Sequence, residues 1–353
     1  MKEFMKEQKY IAYISSYTHG KSKGIMICDV EAEKGRLIPR SEVEIHNPSY
    51  MVKANSGKYL YAICDEGLQA YRILENGNLS LINKGTINGM RACYVTVDEK
   101  DNYIFCAGYH DGKVTVVRLR EDGGIGKVTD EAFHKGMGSV AERNFRPHVS
   151  CAVLTPDQKF LMVSDLGIDQ VKIYKFDNVT GKIRLVDVLR AEIESAPRTM
   201  IFSKDGKYAY LTHELKNYVA VYAYNGEGRT PEFELIQRIS TLGKKFSKNS
   251  AAVAIHFSPD EGHLFVSNAG DNSIAIYKRD METGMLKMLS TLPISGDYPK
   301  DFAIFPDGRH MVCLNHETND MSFFVIDYEK GIIVMNGRSI PVETGNCCII
   351  TEI

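Results

Sequence analysis

The stretch from Pro197 to Leu215, PRTMIFSKDGKYAYLTHEL, carries an arginine near its start and a glutamate near its end. Arg198 precedes a short apolar run. A Lys-Asp-Gly turn follows, and a second run leads to His213 and Glu214. A guanidinium stabilises negative charge and a carboxylate takes up and returns a proton, so the two make a site if the chain brings them together. The pattern recurs along the sequence. Arg91, His148, Arg198 and Lys300 stand ahead of apolar runs; Asp65, Asp165, Glu214, Asn268 and Asn315 close the runs that come next, with His110, His213 and His316 beside them. His134, His256, His263 and His310 fall in loops or strand bodies and read as packing or surface groups. Other chemistries lack their motifs. GGIGKV at 123–128 has neither the spacing nor the hydroxyl of a phosphate-binding loop, HELKN and HETND do not complete H-E-x-x-H, and G-x-S-x-G does not occur. Oxygen ligands at such a site could suit calcium, but the cations among them oppose it, so no metal and no cofactor is assigned.

What must position these residues is a repeat. The segments beginning at Pro48, Met90, Val149, Pro197, Val253 and Pro299 align as six copies of one unit. Each has a short apolar run, an Asp/Gly turn, a run with aromatics, a second turn, an alternating run such as VAVYAY and a closing segment such as GKIRLVDVL. Turn residues between β-branched and aromatic runs are strand signals, and four strands repeated in series indicate propeller blades. Residues 10–38 supply strands two to four of a seventh blade, and the tail CCIITEI, 347–353, supplies its first strand. Joining the two ends closes the ring and leaves no open edge at the seam. The expectation is all-β: a seven-bladed β-propeller with four antiparallel strands per blade, residues 1–353 forming one domain. In such a meander the start of a first strand and the end of a second lie on one face, and the first strands line the channel. The charges listed above then converge on one mouth, a concave site for a small-molecule ligand.

Composition bounds the rest. The chain has 353 residues, 44% hydrophobic and 25% charged, with a net charge of -2 and no basic block, which argues against nucleic acid as a partner. Eight cysteines are scattered without a C-x-x-C pair, as in a protein of a reducing compartment. The polar start MKEFMKEQKY and the lack of a long apolar run predict no signal peptide and no membrane span, hence a cytoplasmic protein. Oligomeric state is not encoded in any visible pattern.

Several motifs carry a resemblance over nearly the whole chain: SYTHGKSKGI, PH then LTPD, SDLGIDQVKIY, PR then DGKYAYLTHEL, SNAGDNSIAIY and FPDGRHMV. The sequence resembles the seven-bladed propeller lactonase family, which includes propeller-type bacterial 6-phosphogluconolactonases and is similar to fungal muconate-lactonizing enzymes. The resemblance implies a hydrolase that opens a sugar lactone by general-base attack of water at the channel mouth. It carries Arg198 over to an arginine that binds substrate or stabilises the oxyanion, Glu214 to an acid/base carboxylate and His148 to the first histidine of an H-x-H stretch. Glu214 or His148 is then the base, and Lys300 or Arg91 binds an anionic tail. Asp165, Asn268 and Asn315 join Arg91 and Lys300 as substrate-binding candidates. Four positions depart from the family pattern: Ser150, Thr199 and Ala269 replace His, His and Arg, and Lys300 replaces Arg. Lysine keeps the charge but loses the bidentate fork. A non-catalytic binder of sugar acids, an interaction scaffold and the reverse, lactonizing reaction are the alternatives.

Overall fold

A computed structural model describes residues 8–139, 144–243 and 249–353. They form seven antiparallel sheets, six of them meanders in sequence order and one in which the C-terminal strand precedes the first three strands of the chain, and the innermost strands pack against one another in a closed circle. We number the blades from the N-terminus. The first strands are Gly345–Glu352 in blade one, Met51–Lys53 in blade two, Tyr94–Val97 in blade three and Val149–Leu154 in blade four. Pro197–Phe202, Ala251–Phe257 and Pro299–Ile304 serve blades five to seven. Ile340–Pro341 adds a short pairing to blade seven. Among the described residues the one helical element is a single 3-10 turn, Ala32–Lys34.

The sequence pattern of each strand follows from its place in the blade. Middle strands lie between two neighbouring blades and are buried on both faces, so Tyr218–Asn225 reads as an almost continuous apolar run. The outer strand Lys182–Arg190 meets solvent and alternates polar with apolar residues. The core is therefore a set of clusters between blades. Tyr61, Ile63 and Leu68 of blade two pack on Val95, Ile104 and Cys106 of blade three. Full burial of each such side chain contributes about 1.5–3 kcal/mol before ordering costs. The cluster that closes the ring joins Ala12, Ile14 and Cys28 of blade one to Phe305, Val312 and Leu314 of blade seven.

The seam is the expected one. The C-terminal strand pairs antiparallel with Tyr10–Ser16, matching Tyr13 with Ile349 and Tyr10 with Glu352. Its bounds differ slightly from the sequence reading: the C-terminal strand begins at Gly345, and the fourth strand of blade one runs to Glu44. The turn between first and second strands is latched the same way in three blades. Thr155, Ser203 and Ser258 donate their hydroxyls to Asp157, Asp205 and Asp260 at 2.6, 2.6 and 2.5 Å. These are the turn aspartates of the repeat.

One irregularity positions the site. The first strands slip register near their upper ends, between Val149 and Cys151, Pro197 and Met200, Ala252 and Ile255, and Pro299 and Asp301. A bulge leaves one residue unpaired and re-aims its side chain. Here the extra residues include Ser150, Arg198, Val253 and Lys300.

Candidate active site

One residue per blade lies on a common tier of the channel wall, four of them at the bulges just described. Ser49, Cys93, Ser150, Arg198, Val253, Lys300 and Asn346 all line a cavity of about 540 Å³ at the end where the second strands finish. The tier has two halves. In the first, each neutral polar side chain reaches a main-chain carbonyl of the following blade: Asn346 bonds Pro48 O at 3.2 Å, Ser49 bonds Ala92 O at 2.9 Å, Cys93 contacts Val149 O at 3.5 Å and Ser150 bonds Arg198 O at 2.8 Å. These contacts staple blades one to five together. The other half, from blades five to seven, presents Arg198, Val253 and Lys300. Two cations therefore share one side of the cavity with an apolar residue between them.

Arg198 donates from Nη1 to Glu214 Oε2, and the carboxylate is buried with 1% exposure. Burial works against the guanidinium's charge, but Glu214 beside it overrides that cost and raises its pKa above the ordinary value. Lys300 forms no hydrogen bond or ion pair among the described residues; its ammonium lies 5.6 Å from the ring centre of Tyr298. Burial and then the Arg198 charge hold its pKa below the usual lysine range. Tyr298 adopts a left-handed φ of 60°, uncommon for a bulky residue. Hydrogen bonds from His316 N to its carbonyl and from its own N to Asn272 hold it there. Above the tier, Arg91 bonds Asp65 at 2.8 Å and lies 5.0 Å from the Tyr17 ring centre. His110 lines the same opening, and burial, Arg91 and His148 lower its pKa.

The cavity thus gathers Arg91, Arg198, Glu214 and Lys300, but not every residue the sequence singled out. His148 is buried behind Tyr109, stacked on its ring at 4.2 Å, with Nδ1 on the Tyr109 carbonyl at 2.8 Å. It supports a lining residue without lining the cavity. Asp165, Asn268 and Asn315 are fully buried at the ends of second strands. That strand is not the innermost, so their side chains tie loops instead of facing the channel. Asp165 meets His134 at 2.7 Å and the amides of His148 and Gly167; Asn268 bonds Thr241 O; Asn315 bonds Asp320 and Ser322. His213 stacks on Tyr218 and His316 bonds Gly345 O. Among the described residues no cluster of three or more His, Cys, Asp or Glu is placed to hold a metal ion.

The sequence left Asp301 unmarked and placed His256 among the packing or surface groups. His256, on the first strand of blade six, and Asp301, beside Lys300, both line the cavity and bond each other at 2.8 Å. The signal was available: a histidine inside the channel strand AVAIHF is out of place in a packed apolar run.

The family model described as "Lactonase, 7-bladed beta-propeller" matches residues 11–350. The chain belongs to this lactonase family. With it comes the reaction class, hydrolysis of lactone esters. Among curated relatives, the 6-phosphogluconolactonase of Bacillus subtilis (strain 168) is 32% identical over 345 residues, spanning 96% of this chain and 97% of its own. Among solved structures, the periplasmic gluconolactonase PpgL of Pseudomonas aeruginosa superposes with a TM-score of 0.91 at 27% identity, covering 97% of this chain and 99% of that one. A Lactobacillus plantarum protein superposes at 0.88 with 28% identity, covering 98% and 100%. In this lactonase the cavity mouth, lined by Arg198 and Glu214, is the natural candidate for the reaction site. No helix among the described residues is long and apolar enough to cross a membrane.

Proposed function

We propose that this lactonase opens a sugar lactone carrying an anionic group, of the 6-phosphogluconolactone kind, in the cytoplasm. The observation that carries this reading is the cationic half of the tier, where Arg198 and Lys300 face one cavity and Arg91 stands above them. Hydrolysis converts the planar lactone carbonyl to a tetrahedral oxyanion. A guanidinium fixed in advance stabilises that charge without reorganising. Glu214 fixes Arg198: buried and bonded to Nη1, it sets the direction of the remaining N–H donors. Lys300 forms no ion pair among the described residues and takes the substrate's negative tail, with Arg91 closing over it from the rim. Tyr109, backed by His148, forms part of the wall against which the ligand rests. The eight unpaired cysteines support a reducing compartment.

Comparing 6-phosphogluconolactone with δ-gluconolactone at pH 7, each corrected for spontaneous hydrolysis, tests the substrate class. A kcat/KM higher by about 10-fold or more for the phosphorylated lactone is expected, since a charge-assisted hydrogen bond contributes about 1.5–3 kcal/mol. Equal values would overturn the anionic-tail assignment.

A further inference from the structure

Below the cationic tier lies a second pair. Nε2 of His256 is 2.8 Å from Asp301 Oδ1, and Asp301 Oδ2 accepts the Cys348 amide at 2.9 Å. With 4% exposure the carboxylate is held on both oxygens, by blade six and by blade one. An ionised carboxylate only accepts, so the hydrogen of the neutral imidazole is on Nε2 and Nδ1 carries the lone pair. The ring is packed edge-on against Phe302 at 4.8 Å, its side chain is 37% exposed, and it lines the cavity. Among the described residues nothing bonds Nδ1. A fixed tautomer, a fixed ring and an open basic nitrogen are the requirements for a general base. Glu214 meets them less well, because it is buried and engaged by Arg198.

We propose that His256, oriented by Asp301, is the general base that activates the attacking water. The assignment rests on the lactonase reading of the cavity. Nδ1 takes a proton from water as the water oxygen bonds to the lactone carbonyl carbon. The carbonyl π pair moves onto oxygen, where Arg198 holds it. When the carbonyl re-forms, the bond from that carbon to the ring oxygen breaks, and its electron pair stays on the ring oxygen. The imidazolium returns its proton there, giving a hydroxyl and a free imidazole. Asp301 stabilises the imidazolium between the two transfers and is a positioning residue.

Charged and titratable groups share the cavity with the ring on several elements. Asp301 and Lys300 come from blade seven, Arg198 and Glu214 from blade five, and Tyr50 and Tyr94 from blades two and three. Among the described residues its own blade adds no second titratable group to the cavity.

The test is the pH dependence of kcat/KM on 6-phosphogluconolactone and δ-gluconolactone, for the wild type, His256→Asn, His256→Gln and His256→Ala, with thermal unfolding run alongside. An imidazole base gives an acid limb near about pH 6.5, whereas a carboxylate base keeps activity to about pH 4.3. The expected result is a wild-type limb of the imidazole kind and a fall in kcat of about 10²–10³-fold in the Asn and Gln variants with KM little changed. Added imidazole should restore part of the rate to His256→Ala. A wild-type limb of the carboxylate kind overturns the assignment without any variant, as does a folded His256→Asn with wild-type kcat. Failure of the wild type on both lactones overturns the lactone reading and this one together; wild-type turnover that survives in the variants overturns this one alone.

Discussion

At the scale of single residues, position on the first strand decides function. Ser150 and Lys300 occupy equivalent bulges, yet one staples a neighbouring blade and the other points a charge at the cavity. The sequence named Arg91, Arg198, Glu214 and Lys300 because charged residues flanking apolar runs are conspicuous. It could not separate them from His148, Asp165, Asn268 and Asn315, whose types are equally suited to binding. Only the packing shows the first behind Tyr109 and the other three turned into loops. His256 went unrecognised because a histidine in a strand body is more often packing than chemistry. Lys300→Met carries a prediction at this scale. Removing the ammonium leaves Arg198 and Glu214 intact, so KM for the phosphorylated lactone should rise about 10-fold, with kcat and the kinetics on δ-gluconolactone little changed. Steady-state kinetics on both substrates check it; an equal loss on both would place Lys300 in the chemistry instead.

At the scale of elements, the repeat was legible but its bulges were not. Hydrophobic alternation and turn residues mark where strands begin and end, whereas a register slip is settled by how the first strand meets the second and its neighbouring blade. Second strands carry their own consequence. His213 ends one, stacked 4.1 Å from the Tyr218 ring centre with Nδ1 on Ser195. Burial, then the Arg238 charge, push its pKa down to about 3. In the unfolded chain an imidazole titrates near about 6.5, so between those values the unfolded state binds the extra proton. The stability owed to a neutral His213 is complete above about pH 6.5 and is lost as the pH falls toward about 3. His134, lowered by burial against the pull of Asp165, acts in the same direction. The unfolding temperature should therefore drop from pH 7 to pH 4. In His213→Phe, which keeps the stacking, the drop should be smaller by up to one proton's worth of slope. Thermal melts across that range decide it, and an unchanged slope in the variant would show that His213 does not contribute.

At the scale of the molecule, the site belongs to the ring and to no single repeat. Every blade contributes a residue to the tier, and Asp301 by itself touches three blades: its own, blade six through His256 and blade one through Cys348. Such a site needs a closed ring, and the antiparallel pairing of Gly345–Glu352 with Tyr10–Ser16 closes it. This architecture was readable in advance because seven similar units can bury their faces only on one another. The depth of the cavity was not, since it depends on side chains that meet from opposite blades. The central claim is that the cationic mouth hydrolyses lactones, and the most direct measurement is 6-phosphogluconolactone hydrolysis at pH 7 by the wild type and by Arg198→Ala, each against the spontaneous rate. The account predicts clear acceleration by the wild type and a loss in kcat/KM of about 10²–10³-fold in a folded Arg198→Ala; acceleration that persists undiminished in the variant would contradict it.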